Sequence, residues 1–480
     1  MLPGATIAGL FVGMMTMVAA GPLLAWQALH TQLHVAFNYT QLEAHLLTNS
    51  GLIGLSIGSI ITSILHLSAM WLSVIGCVLT TCAYLLCWGA VKMATLWHAQ
   101  KAALVAFYAF VAGLGTSFLY LTAISVNVHN FSAKHTGKVI GCLHAVLITS
   151  IAVFNLVFNN PHTVTENGLL YLCMLATSTV AGLLSILALR KDDTVTVFEP
   201  RTTRGYSDIN ALTTPAYEYA PEGTDDGPTD SIMSVTRTTS EISNGGEIGG
   251  QIPSRIHRLR AWMHLWLHRK VVLILSSFVC CMAVSTSIMF NLNVLISSPN
   301  TNNLTLTVSS INDAAAAFSQ SAHSTLVCAL LLAVGVPTSC LCSVLSDHLS
   351  NSSQRAQQAN ILMVPLIALT VTCGFSCVTG VTTDGMHVVL LVCTSAMYGS
   401  VWSLHPMMFH ETLKGTNLFA FCWALALSAA FVLTLILQLV LNFVFGWFLG
   451  TGTLVAARVA FAGYSALLLG ALGINIALID

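Results

Sequence analysis

Twelve apolar runs, divided six and six by one long hydrophilic segment, limit what this chain can fold into. The first run begins near Ala5 and the last ends near Leu478. Crossing a hydrocarbon core takes about 20 apolar residues per helix, and each run is near that length or longer. The pattern predicts an all-α integral membrane protein with twelve transmembrane helices in two six-helix pseudo-repeats. The first six are expected over 5–28, 44–66, 69–94, 102–127, 138–158 and 168–189. The second six are expected over 271–295, 321–345, 359–381, 386–408, 417–446 and 453–478. Residues 1–189 and 271–480 then form an N-terminal and a C-terminal bundle.

Composition agrees. Charged residues are 7% of the chain, against about 25% in soluble domains. A net charge of −1 gives no sign of a nucleic-acid partner. The 14 cysteines all lie within apolar runs and read as small hydrophobes, since a disulfide framework would sit in outer loops. Cys373 and Cys377 are one helical turn apart, but no second pair of ligands completes a metal site. Walker, HExxH and Gly-x-Ser-x-Gly patterns are absent, so no enzymatic chemistry and no cofactor is expected. The first apolar run has no basic residue before it and is too long for a signal peptide.

Basic residues orient the bundle. With the N-terminus in the cytoplasm, inner loops hold 14 of the 17 Lys and Arg residues, as the positive-inside rule requires. Both termini are thereby expected to be cytoplasmic. The central segment has two parts. Residues 190–253 are rich in Thr, Ser, Gly and Pro and are expected to be a disordered loop. Residues 254–270 interleave Arg255, Arg258, Arg260, Arg269 and Lys270 with Ile256, Leu259, Trp262 and Trp266, the pattern of an amphipathic interfacial helix.

Local motifs add a resemblance. Gly113-Leu-Gly115 leads into the run from Leu121 to Phe131, with Asn130 before Phe131, and Thr136-Gly137 then precedes Gly141 and His144. The first two runs carry Ala8 through Trp26 and then Gly51, Gly54 and Gly58. After the eighth run come Leu345-Ser346-Asp347 and Arg355. These features, with the six-plus-six layout, resemble the major facilitator superfamily and its nodulin-like branch. The resemblance implies parallel repeats with a solute site at the bilayer midplane. It also implies a gating role for Asp347 and Arg355. Departures bear on substrate. The loop after the second run has His66 and no carboxylate or Arg, and Ala109 stands where proton-coupled members carry an Arg. A proton-driven drug exporter is disfavoured.

Intramembrane charge is costly and marks function by default. Glu43, Lys92 and Arg458 all fall near run ends and can snorkel to the interface. A cavity without fixed charge suits a neutral, zwitterionic or amphipathic solute. The resemblance makes the first, fourth, seventh and tenth helices line that cavity. Their candidates are Met14, Met17, Tyr120, Ser285, Thr286 and Tyr398 near midmembrane, with Trp26, Gln27, Asn127, Asn291 and Trp402 nearer the mouths. Tyr and Trp can both stack on a solute and hydrogen-bond it. The alternative for each residue is ordinary interhelical packing. His144, two turns inside the fifth helix, is either a packing histidine or a carrier of a coupling proton. His30, His34 and His45 are separate solvated residues or, alternatively, a mouth site for a soft metal or haem.

The expected function is secondary-active or facilitative transport of a small organic solute by alternating access, with the lipid bilayer and that solute as partners and a monomer as the working unit. Alternatives are a non-transporting receptor or scaffold on the same fold, or a carrier of a metal or haem ligand. The plasma membrane is the default location, with an endolysosomal or vacuolar membrane as its rival.

Overall fold

The computed structural model describes residues 3–25, 41–64, 67–92, 102–131, 135–158, 169–188, 269–296, 325–348, 354–379, 384–413, 418–447 and 453–479. The expected loop over 190–253 and nearly all of the expected interfacial helix lie outside these residues. Arg269 and Lys270 open a helix.

The described residues form twelve helices. The first set is α1 (Pro3–Ala25), α2 (Gln41–Ile64), α3 (Ala69–Lys92), α4 (Ala102–Asn130), α5 (Thr136–Phe158) and α6 (Leu169–Ala188). The second is α7 (Arg269–Ile296), α8 (Thr325–His348), α9 (Gln354–Thr379), α10 (Asp384–Thr412), α11 (Phe419–Trp447) and α12 (Thr453–Ile479). Eleven are long and apolar enough to cross a membrane, and in α2 the apolar stretch is Asn49–Ile64. Outward faces are greasy: Phe107, Val180, Val378 and Phe443 are all exposed. The interior is richer in hydroxyls, many of which donate to the carbonyl four residues back, as Ser59 does to Leu55 at 2.9 Å and Thr394 to Leu390 at 2.7 Å. Such back-bonding satisfies a buried hydroxyl without a neighbouring helix.

The two sets repeat one packing scheme. Helix α1 packs on α4, α5 and α6, as α7 packs on α10, α11 and α12. The α2–α4 and α3–α6 pairs correspond to α8–α10 and α9–α12. Glycine sets the closest crossings. A side chain at Gly54 would strike the Phe110 carbonyl, and one at Gly113 would strike the Gly51 carbonyl, so α2 and α4 meet backbone to backbone. Proline shapes another contact. Pro22 has no N–H to give to the Val18 carbonyl, and Ser150 of α5 donates to that carbonyl at 2.8 Å. Between the sets, α5 packs on α8 and α10, and symmetrically α11 packs on α2 and α4. Through these contacts the two sets cluster as one unit, residues 1–200 with 268–480.

Candidate functional site

Trp402 is the hub of an aromatic cluster where the two sets meet. Tyr120 of α4 and Trp402 of α10 occupy equivalent positions in two helices of 29 residues each. The Trp402 ring lies 6.1 Å from Tyr120, 5.2 Å from His144 of α5, 6.0 Å from Tyr398 and 6.3 Å from Trp423 of α11. Phe278 of α7 stacks 4.8 Å from Trp423, and Phe409 lies 6.2 Å from it. All of these side chains are buried. Each tilted or edge-on pair of this kind contributes roughly 0.5–1.5 kcal/mol beyond area burial. Five helices therefore converge on one indole.

A hydrogen-bonded chain runs through the cluster. Trp423 Nε1–H donates to the Tyr120 hydroxyl at 3.3 Å, and that hydroxyl lies 2.9 Å from His144 Nε2. His144 Nδ1 is 3.0 Å from the Ile140 carbonyl of its own helix. A carbonyl only accepts, so Nδ1 carries the proton and Nε2 accepts from the phenol. A neutral imidazole thus satisfies every partner, and the chain ties α5, α4 and α11 together.

A cavity of about 10 Å³ lies against this cluster, lined by Ala20, Leu24, Leu55, Thr116, Tyr120, Trp402, Leu427 and Phe431. It has room for about one water. Both helix sets contribute walls, α1, α2 and α4 from one and α10 and α11 from the other. No charged side chain lines it.

On the other side of the cluster the bundle is sealed by a contact between the sets. The Asp347 carboxylate, at the end of α8, accepts from the Gly137 N–H at 3.1 Å and from the Lys138 N–H at 2.9 Å. These are free donors of the first turn of α5, and a carboxylate there is favoured by the helix dipole. A side chain at Gly137 would strike Asp347 and Met407. One turn on, a side chain at Gly141 would strike Ser343, one turn before Asp347. Matching small residues let α5 and α8 touch along this seam.

The family model described as Major Facilitator Superfamily matches residues 6–430. The chain belongs to this superfamily. Its members are membrane transporters, and with its apolar helices the chain is an integral multi-pass membrane protein. Among solved structures, it is similar to a bacterial homologue of the iron transporter ferroportin in an outward-facing state, at TM-score 0.61 and 11% identity, over 99% of each chain. It is also similar to the superfamily's proton:xylose symporter XylE bound to 6-bromo-6-deoxy-D-glucose, at TM-score 0.60 and 11% identity, over 99% of this chain and 96% of that one. At such identities the likeness shows the fold. No curated protein matches the chain.

Within this superfamily fold, the sequence-selected residues separate into groups. Tyr120, Trp402, Tyr398 and His144 come together in the cluster. Met17 is buried in α1 away from the cavity lining, and Met14 receives the Cys142 thiol at 3.7 Å. Asn127 donates to the Ala123 carbonyl of its own helix at 2.8 Å and lies against Gly13, where α1 passes close. Ser285 and Thr286 are buried on α7 outside the cavity lining, their hydroxyls without a partner among the described residues. Trp26, Gln27, His30 and His34 lie outside the described residues, and the side chains of His45, Asn291 and Arg355 do too. Asp347 meets α5. Sequence reasoning missed Phe278 and Trp423. Trp423 lies on α11, outside the four helices taken as cavity-lining, and nothing in its apolar neighbourhood distinguishes it. It missed His405 also, although a histidine deep in an apolar run was the signal that selected His144.

Proposed function

We propose that this transporter carries a small solute without net charge by alternating access, the two six-helix sets rocking about the Tyr120–Trp402 contact. The observation that carries this reading is the cavity at the junction of both sets, floored by a phenol and an indole and lined by no charged group. Aromatic faces bind apolar or ring-bearing solutes, and a Tyr hydroxyl adds one directional bond. The Asp347 bond to α5 and the aromatic layer behind it make two successive closures at one end. Opening that end requires both to part, and Asp347 serves as the latch. With the basic residues as orientation, this end faces the cytoplasm and both termini lie inside, in a plasma-membrane monomer. The pattern from Gly113 to His144 supports a nodulin-like assignment within the superfamily.

A thermal-shift screen of purified protein against a metabolite library tests this, followed by uptake of the hits into proteoliposomes. Trp402→Ala and Tyr120→Phe are expected to weaken binding of a true substrate about tenfold or more, since buried aromatic anchors dominate affinity. Hits that bind both variants unchanged, or that bind but are never taken up, overturn the reading.

A further inference from the structure

His405 of α10 forms a second polar chain, on the far side of Phe278 from Trp423. Its ring is fully buried, 5.3 Å from Phe278. Nδ1 lies 3.3 Å from the Val401 carbonyl and Nε2 lies 3.2 Å from Ser277 Oγ of α7. Asn475 of α12 donates from Nδ2 both to Ser277 Oγ at 2.7 Å and to the Ala471 carbonyl at 2.9 Å. Nδ1 faces a carbonyl, which only accepts, so it carries the proton. The ring is fully buried, where an added charge is costly, so Nε2 is bare and accepts the Ser277 O–H, as His144 Nε2 accepts from Tyr120.

The two chains differ in what protonation of Nε2 would demand. At His144 the phenol would have to receive the Nε2–H while still receiving the Trp423 N–H. Besides His144, the partner of this hydroxyl is an indole N–H, which only donates and cannot receive the phenol hydrogen. That hydrogen would be stranded. At His405 the pivot is a serine. Its oxygen can accept from Nε2–H and from Asn475 at once, while its hydrogen rotates toward the Cys281 sulfur, one turn along α7 and a hydrogen-bonding neighbour of the Ser277 side chain. One further group is in reach of the same rearrangement. Asn475 Oδ1 is buried with no partner among the described residues, and it becomes an acceptor when the amide turns.

We propose that His405 is the proton-binding group of the transport cycle, and that Ser277 switches its hydroxyl from His405 Nε2 to its own helix when the proton arrives. The inference rests on the alternating-access reading above. The proton arrives as hydronium in the water that enters as the Asp347 end opens; one hydronium O–H bond breaks, the Nε2–H bond forms, and neutral water is left. Charged residues on the elements packed against α10 stand at helix ends: Arg269 and Lys270 on α7, Lys138 on α5, Asp347 on α8 and Arg355 on α9. On α10 itself they are Asp384 and Glu411, again at the ends. The nearer ionisable groups, His144 across Trp402 and Cys281, bring no negative charge in this closed arrangement. An imidazolium at His405 consequently favours the hydrated state over the sealed one. Acid should open the Asp347 end.

Hydrogen–deuterium exchange of full-length protein in nanodiscs, read from pH 8 to pH 5 after correction for intrinsic exchange, tests this without a known substrate. Peptides spanning 135–144 and 337–348 are expected to exchange faster as pH falls, by up to about tenfold per pH unit, the limit for one proton. His405→Gln, which keeps a neutral acceptor, should abolish the response. Ser277→Ala should displace it to lower pH, and this second variant serves if the first does not fold. His144→Gln should leave the response in place. A flat wild-type profile, a response that survives His405→Gln or is undisplaced by Ser277→Ala, or one that vanishes in His144→Gln overturns the proposal. Solute flux in the uptake assay with a flat exchange profile would reject this inference alone and leave the transport reading standing.

Discussion

His144 and His405 are the same residue in nearly the same setting. Both are fully buried, both give Nδ1–H to the carbonyl four residues back, and both present Nε2 to a hydroxyl from another helix. The difference lies one atom further out. Tyr120 is backed by an indole N–H that can only donate, while Ser277 is backed by an amide with an unused oxygen. The first chain has one hydrogen arrangement and serves as a rigid strut between the sets. The second has two arrangements and can respond to a proton. Burial and residue type alone do not assign a role to a membrane histidine; the capacity of its partner's partner does.

The comparison can be broken or sharpened by substitution. The largest effect is expected at Gly141, where a leucine side chain has no room against Ser343. Gly141→Leu should pry α5, and His144 with it, from α8, raising exchange of 135–144 more than tenfold at every pH while the His405 chain stays intact. Retained protection in that variant would mean that the seal does not depend on this contact. A smaller and more discriminating effect is expected from Trp423→Phe. The ring stays and only the indole N–H is lost, costing about 0.5–1.5 kcal/mol of stability. The Tyr120 hydrogen still finds no second acceptor, so the acid response should stay that of the wild-type protein, and adding His144→Gln should leave it unchanged. Exchange profiles of the single and double variants decide the matter. The smallest effect belongs to Ser150→Ala. The Val18 carbonyl freed by Pro22 loses its donor, which should lower stability by about 1 kcal/mol in a denaturation or thermal-melt comparison. The pH response should not change, since this contact joins α1 and α5 within one set.

Much of the fold was legible because lipid imposes so simple a demand. A run long enough to cross, lacking charge, has to become a helix with its backbone bonds made internally. All twelve expected helices occur, with ends moved by a few residues, as from 321–345 to Thr325–His348. Gly54 and Gly58 of α2 are close-approach positions, and α4 fills that space. The candidate site was legible only in part. Tyr120, Tyr398, Trp402 and His144 could be chosen because a polar or aromatic group deep in an apolar run stands out. Phe278 and Trp423 could not, since aromatic rings in apolar helices look alike whether they face lipid, core or cavity. Asn127 was equally reasonable from depth alone, yet its side chain bonds its own helix and lies against Gly13, and Met17 is buried outside the cavity lining.

By itself, the sequence determined the twelve helices of the described residues, their lengths, the six-plus-six division and the lack of Asp, Glu, Lys and Arg in the middle of those helices. Each of these follows from a chain's local composition against the thickness of a bilayer. Tertiary structure alone decided which helix faces meet. It brought Asp347 to the start of α5 across 210 residues, Trp423 to Tyr120 across 303, and Asn475 to Ser277 across 198. Hydrogen bonds act over about 3 Å, and nothing in the local pattern of an apolar helix records which distant donor will arrive within that distance.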